Sequence, residues 1–547
     1  MMNDAAHTLA ECSREIQLAP DSADSWYNLG KALNDLGRHG EAVLAYQRAS
    51  DLNPRDAEIW FNLGNVLLRG GRVGDAIAAF RQGISCDPLK IGLHQNLGHA
   101  LSSAGRFDES IEAYRAAIRV NPRSAEAHIN LGEVLTRCGR HGEAIEACII
   151  ALELAPDSAE ASYNLGVLLA LRDDWTGAER CLSRALQLRP EFAEALVNLA
   201  EVLREQGRMS EAIGNLRRAV AMRPDMAEAH YNLALALLQS GNYEEGWIEF
   251  AWRHATAEGK AVAPSPGIPS WDGSFRKDMT LLVQEEQGYG DTLHTARYLP
   301  LLIARGVRVI LECRKELHPL FSGNRELAGL LQPGEKAHHA DAATSMFSLP
   351  YFLGTTLAAI PGRVPYLHAP AGTATRWRPR VRSGEGTVHI GIVWAGNPLH
   401  RNDRRRSIPA EEFLPLLRTP GVLWHSILAG PHSGVAECFP PDIAIRYHGV
   451  ELTDFGESAA LLEQLDLLIS VDTAAAHLGG ALARPVWLLL PYNPDWRWLI
   501  DREDSPWYPT MRLFRQPRPG AWGPVVASAR SALTVFVEQY AEGSRRA

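Results

Sequence analysis

Apolar and polar residues follow a helical pattern in the first half of this chain, and the pattern restarts every 34 residues. Asn28, Asn62, Asn96, Asn130, Asn164, Asn198 and Asn232 mark the step, each followed by Leu and then by Gly or Ala. Pro20, Pro54, Pro88, Pro122, Pro156, Pro190 and Pro224 keep the same step and close the second helix of each unit. The large apolar positions recur in register: Trp26, Leu29, Ala42, Tyr46 and Ala49, then Trp60, Leu63, Ala76 and Phe80. A fixed period of this length predicts a helix-turn-helix solenoid, in which no unit buries its apolar face alone. Small residues at Gly30 and Gly64 let paired helices approach closely. The count is seven units over residues 23–254, preceded by a capping half unit, residues 1–22, that uses Leu9, Ile16 and Leu18.

Near residue 255 the pattern changes. Residues 255–278 are rich in Ala, Gly, Ser and Pro, including Pro264, Pro266 and Pro269, and form a linker. Beyond it, short apolar strands alternate with helices: a strand at 280–284, a helix at about 292–305 and a strand at 307–312. A second set begins at 388–394, after a polar break at 380–386, and continues through 423–428, 467–471 and 486–490. This is the rhythm of parallel α/β sheets, so two Rossmann-like lobes are expected, 279–385 and 386–547, with a cleft between them.

Open parallel sheets bind ligands beyond the carboxyl ends of their strands, which directs attention to three turns. The first, Glu285 through Asp291, places Gly288 and Gly290 in a tight turn and Asp291 at a helix start, where Asp is also an ordinary cap. The second follows the strand at 388–394 and carries Asn397, Arg401, Arg404, Arg405 and Arg406. Guanidinium groups bond phosphate oxygens bidentately, so this loop suits a diphosphate; the alternative is a solvated basic turn. In the third, a buried strand runs into Asp472, Thr473 and Ala474, then His477, and the small residues open a helix start toward an anion. Capping by Asp472 and a helix-face role for His477 are the structural alternatives.

Net charge is −9, which disfavours nucleic acid and anionic membranes as partners of the whole protein. Apolar runs fall far short of the roughly 20 residues that span a bilayer, and the amino terminus lacks a basic-then-apolar leader, so a cytoplasmic location without a transmembrane segment is expected. Seven scattered cysteines without C-x-x-C spacing predict buried reduced thiols and neither disulfides nor a zinc site.

The repeated unit resembles the tetratricopeptide repeat (TPR) family. The later motifs, Gly290-Asp291-Thr292-Leu293-His294-Thr295 and Asp472-Thr473-Ala474-Ala475-Ala476-His477-Leu478, resemble the GT-B glycosyltransferases, most closely the heptosyltransferase-like family 9. That resemblance implies transfer of a sugar from a nucleotide-sugar co-substrate to an acceptor hydroxyl, with no metal and no cofactor. It implies Asp291 as catalytic base and a donor site built from Gly290, Asn397, Arg401, Arg405, Arg406, Asp472, Thr473, Ala474 and His477. Arg406 stands where the lipopolysaccharide heptosyltransferases usually have Lys, and those enzymes have no solenoid, so the donor is open. A TPR array joined to a GT-B domain also resembles the protein O-GlcNAc transferases, whose asparagine ladder faces the acceptor. Asn28, Asn62, Asn96, Asn130, Asn164, Asn198 and Asn232 match that ladder in position, which implies a protein or glycan acceptor; helix-packing amides are the alternative. An interaction scaffold with a nucleotide-binding or inactive α/β part is the other function class.

Overall fold

The computed structural model describes residues 2–256, 267–337, 339–382, 387–399, 402–428 and 439–546, with side chains over 9–542. It divides into two compact units, Met1–Val202 and Leu203–Ala547. The boundary falls inside the helix Ala193–Glu205 rather than at residue 254, where the repeat pattern ends.

The first unit opens with the helix Met2–Leu18 and continues as antiparallel helix pairs, such as Ala57–Arg69 with Val73–Cys86 and Ile91–Ser103 with Phe107–Val120. Leu9 and Cys12 carry the packing of the opening helix, whereas Leu18 is 87% exposed. In four of the pairs the turn is made by a glycine in the left-handed region, with φ of +73° at Gly37, Gly71, Gly105 and Gly139, and in the fifth Asp173 takes that conformation at +61°. The inner glycine is needed for a different reason. A Cβ on Gly30 would stand 2.8 Å from the ring of Tyr46, and one on Gly98 2.8 Å from that of Tyr114, so the aromatic residue occupies the room the glycine leaves. A third tie recurs with the period: the ring nitrogens of Trp26, Trp60, His94 and His128 reach the carbonyls of Pro20, Pro54, Pro88 and Pro122 at 2.8, 2.9, 2.8 and 3.3 Å. Trp fills the position in the first two of these pairs and His in the next two, each bringing a ring nitrogen to the equivalent proline carbonyl.

The second unit begins with the last helices of the array, including Met209–Met222, Ala227–Gln239 and Tyr243–Phe250. Two all-parallel sheets follow. The first contains β1 (Thr280–Gln284), β2 (Arg308–Glu312), β3 (Gly329–Leu331) and β4 (Ala342–Ser345) in the order β3-β2-β1-β4. The second contains β5 (Val388–Val393), β6 (Val422–Ser426), β7 (Ile445–Tyr447), β8 (Leu467–Val471), β9 (Val486–Leu490) and β10 (Met511–Arg515), in the order β10-β9-β8-β5-β6-β7. Every residue of β5, β8 and β9 is buried, as expected of parallel strands covered on both faces.

One hydrophobic core joins the end of the array to both sheets. Tyr243, Trp247 and Phe250 lie in the same cluster as Trp271, Trp496, Trp498 and Trp507. The rings of Trp247 and Trp496 meet edge to face at 5.2 Å, and Trp507 Nε1 donates to Tyr243 Oη at 3.1 Å. Gln239, fully buried, donates to Asn493 Oδ1 at 2.6 Å and to the Pro494 carbonyl at 2.7 Å. The segment around Trp496 and Trp507 is therefore core that fastens the last repeat. Cys12, Cys148 and Cys313 are buried thiols, and Cys438 lies outside the described residues. No helix among the described residues is long and apolar enough to cross a membrane.

Candidate functional site

Strand order locates the site. In the first sheet the chain leaves β1 toward β2 on one side and meets β4 on the other; in the second it reverses between β5 and β8. These are topological switch points, where the loops diverge and leave a crevice at the carboxyl ends of the strands. The three turns singled out in the sequence follow β1, β5 and β8.

The first and third turns touch. Gly290 sits against the helix Ala474–Ala481, and a Cβ there would be 2.9 Å from His477 Cδ2 and 3.4 Å from Ala474 Cα. Asp291 opens the helix Tyr289–Thr295, where its Oδ2 accepts the Gly288 N–H at 2.7 Å, so it does act as a cap. Its Oδ1 meets Arg497 Nη2 at 2.5 Å. The Asp291 side chain retains 22% exposure while Arg497 retains 6%. Arg497 also binds Asp495 at 2.7 Å and lies over the rings of Trp496 and Phe347. Burial raises the Asp291 carboxyl above its ordinary range, and the facing Arg497 opposes that rise.

In the third turn Thr473 caps the helix Ala474–Ala481 by backbone position, and its hydroxyl pairs with Ser470 Oγ at 3.1 Å. Burial, helped by Asp495, pushes Asp472 up to about 6 against the pull of Arg406 and Arg497. His477 Nδ1 lies 3.0 Å from Tyr508 Oη and its ring stacks on Trp498 at 5.2 Å. His294 reaches the same hydroxyl at 3.3 Å. Burial and the neighbouring Arg497 hold both imidazoles well below the ordinary histidine value, so both are neutral near pH 7.

The second turn contributes Arg406, whose Nη1 donates to the Asp472 carbonyl at 3.0 Å and whose Nε faces Asp403 at 3.2 Å. Gly396 makes this possible, because a Cβ there would lie 2.5 Å from Arg406 Nη2. Asn397 is exposed, and its Oδ1 accepts the Leu399 N–H at 3.0 Å, closing a local turn. Arg405 is drawn away to Glu205, at 2.9 Å, on the helix Ala193–Glu205. Arg401 lies outside the described residues. The three turns thus bring together Asp291, Gly290, Arg406, Asp472, Thr473, Ala474 and His477, while Asn397 and Arg405 are occupied elsewhere. The aromatic runs at 494–498 and 504–508 stand out in the sequence as a pocket wall or as core, but they give Arg497 and Tyr508 no role of their own.

On the repeats, Asn62, Asn198 and Asn232 are tied back to their own helices, and Asn96 to the preceding repeat. Asn62 Nδ2 donates to the Glu58 carbonyl at 3.0 Å and to Tyr27 Oη at 3.1 Å, and Asn198 repeats this with Glu194 and Tyr163. Asn96 donates to Asn65 at 2.6 Å and Asn232 to the Glu228 carbonyl at 2.9 Å. Asn130 and Asn164 are half-buried, and Asn28 is exposed.

Comparison with known proteins bears on the helical part. Residues 3–165 match the model of the cilia and flagella-associated protein 70 C-terminal domain, a TPR model, and residues 172–215 and 200–241 match two TPR-repeat models. Protein FlbA of Caulobacter vibrioides is 25% identical over 316 residues, covering 53% of this chain and 52% of FlbA; the chain spans about half the length of this curated relative. Among solved structures, the Cut9–Hcn1 assembly of the APC/C aligns at 20% identity over 47% of this chain and 52% of that one, with a TM-score of 0.37. YrrB, a TPR protein with an unusual peptide-binding site, aligns at 21% identity over 34% of this chain and 95% of its own, with a TM-score of 0.29. MamA gives 28% identity, 30% and 98% coverage, and a TM-score of 0.27. With its seven helix pairs and its 34-residue register, the helical part of the chain is a tetratricopeptide-repeat array, a scaffold of the protein–protein interaction type.

Proposed function

We propose that the α/β part is a GT-B glycosyltransferase of the family 9 type, which moves a sugar from a nucleotide-sugar donor to a hydroxyl of a protein or glycan acceptor recruited by the repeats. The observation that carries this reading is the approach of Gly290 and Asp291, after β1, to the helix start at Thr473 and Ala474, after β8. In the proposed reaction the acceptor oxygen attacks the anomeric carbon as its proton passes to Asp291. The bond from that carbon to the diphosphate oxygen breaks, and its electron pair leaves with the nucleoside diphosphate. Arg406, Arg497 and the free N–H groups at the helix start are placed to take up the charge that develops on the leaving group, without a metal. The neutral His477, fixed by Tyr508 and Trp498, is a hydrogen-bonding group rather than a third cation.

Asp291→Asn removes the base and keeps the capping oxygen. Transfer is expected to fall by about 10²–10⁴-fold, while calorimetry shows donor binding within a few-fold of the original. Unchanged turnover would exclude Asp291 as base. A second reading, a TPR scaffold with a non-catalytic α/β part, draws on the internal pairing of Asp291 with Arg497 and of Arg405 with Glu205. Absence of binding across UDP-, GDP-, ADP- and dTDP-sugars would favour it.

A further inference from the structure

A cavity of about 570 Å³ lies at the carboxyl ends of β1, β2 and β4, beside the turn that carries Asp291. Trp271 and Phe352 wall it on one side, with their rings 4.9 Å apart, and Gln284, Glu285, Glu312 and Arg314 line the other. Thr292, next to Asp291, reaches Glu285 at 3.5 Å, which links the cavity to the candidate base.

Its charges do not balance. Glu286, also on its lining, is neutralised by Arg253, at 2.8 and 3.0 Å, and bonded by Ser345. Glu285 is paired with Arg314 at 2.9 Å, and Arg314 is further held by the Gln287 carbonyl and the face of Tyr289. Glu312 is 7% exposed and has one neutral partner, the Gln284 amide at 3.1 Å; among the described residues no cation pairs with it. A carboxyl withdrawn from water without a counter-ion is costly unless the ligand supplies the missing charge.

We propose that this cavity binds an amino sugar, with its ammonium group on Glu312 and its ring between the aromatic wall and the amide and hydroxyl groups opposite. The aromatic pair and the width of the cavity favour a ring over a slender lysine side chain. Burial raises the Glu312 carboxyl above its ordinary range, with the Gln284 amide opposing the rise and Glu285 and Glu335 adding to it. The ammonium then stands against the carboxylate as the counter-ion that the described side chains do not supply. As the acceptor pocket of a glycosyltransferase, the assignment rests on the function proposed above; as a binding site, it does not.

The test is calorimetric titration of the full chain, without donor, using probes that share one ring and differ in charge: glucosamine, N-acetylglucosamine and glucose 6-phosphate, with Nα-acetyl-lysine amide as a fourth. Glucosamine is expected to bind about tenfold or more tightly than N-acetylglucosamine, as a charge-assisted hydrogen bond implies, with glucose 6-phosphate weakest. Glu312→Gln should erase the preference. Equal binding of the charged and neutral sugars, a preference for the phosphate, binding of the lysine amide alone, or no binding at all would each overturn the assignment. The charge series on the unmodified chain decides even where Glu312→Gln fails to fold. Loss of transfer in Asp291→Asn leaves the titration intact, so the two proposals fail separately.

Discussion

At the scale of single residues, Arg497 is the hinge of the site's electrostatics. Asp291, Asp495 and Asp472 surround it. Arg497→Met is expected to cost about 3–5 kcal/mol in urea unfolding, the usual cost of leaving a buried charge unpaired. It should also raise the Asp291 titration midpoint, read by carboxyl carbon NMR; an unmoved midpoint would show that the ion pair does not control that carboxyl. Asp291 stands out in the sequence by its glycine-bearing strand-to-helix turn, but spacing alone favours a cap, which it forms with the Gly288 N–H, and its role as base comes only from the family resemblance. Arg497 is given no role by the sequence, because its partner lies 206 residues away and only the fold brings them together. Glu312 was hidden for a similar reason: it looks like the polar end of a strand until its neighbours' cations are seen to be taken. In the repeats, Gly98→Ala drives a Cβ toward Tyr114 and should cost about 1–3 kcal/mol by overpacking, measured as a lower midpoint of thermal unfolding.

At the scale of elements, strands were readable where burial is two-sided. The expected ranges for β1, β8 and β9 coincide with the observed ones, because parallel strands covered on both faces are unbroken apolar runs. β3, β4 and β7 are only three or four residues long and were missed, and β10 was hidden by Arg512 and Arg515 in an otherwise apolar run. The helix expected over 292–305 is instead three pieces, Tyr289–Thr295, a 3₁₀ turn Ala296–Tyr298 and Leu299–Ile303, because Pro300 has no N–H and starts a new helix. One feature of the second sheet was invisible beforehand: His389 on β5, His425 on β6 and His448 beyond β7 form a buried hydrogen-bonded chain, at 3.1 and 3.0 Å, that ends on Glu451 at 3.2 Å. Burial, then His448, His389, Arg446 and Arg382, depress His425 to about 3. The folded state therefore refuses a proton that the unfolded chain binds below about pH 6.5, and stability falls as pH drops from there toward 3, by up to about 1.4 kcal/mol per pH unit for one ring. Thermal unfolding between pH 7 and 4.5 should show this slope, and His425→Gln should flatten it.

At the scale of the whole molecule, the 34-residue period runs to about residue 254, while the two compact units meet at residue 203. Periodicity reports which residues form a repeat; it does not report what the outer face of the last repeat rests on. A fragment of residues 203–547 is expected to unfold cooperatively, with a near-native tryptophan emission spectrum. A fragment starting at residue 255 lacks Tyr243, Trp247 and Phe250, so it leaves Trp496 and Trp507 without their partners and should bind a hydrophobic dye and aggregate. Equal behaviour of the two fragments would mean that the shared aromatic core is dispensable.

The location of that core has a consequence for how such an array can vary. Whole 34-residue modules can be gained or lost among the first five pairs at little cost to the rest, since each answers only to its immediate neighbours. The seventh pair has no such freedom: Gln239 and Tyr243 are committed to partners more than 250 positions downstream. Diversity in what the array recruits should therefore accumulate toward its beginning, with its end held constant by the sheets.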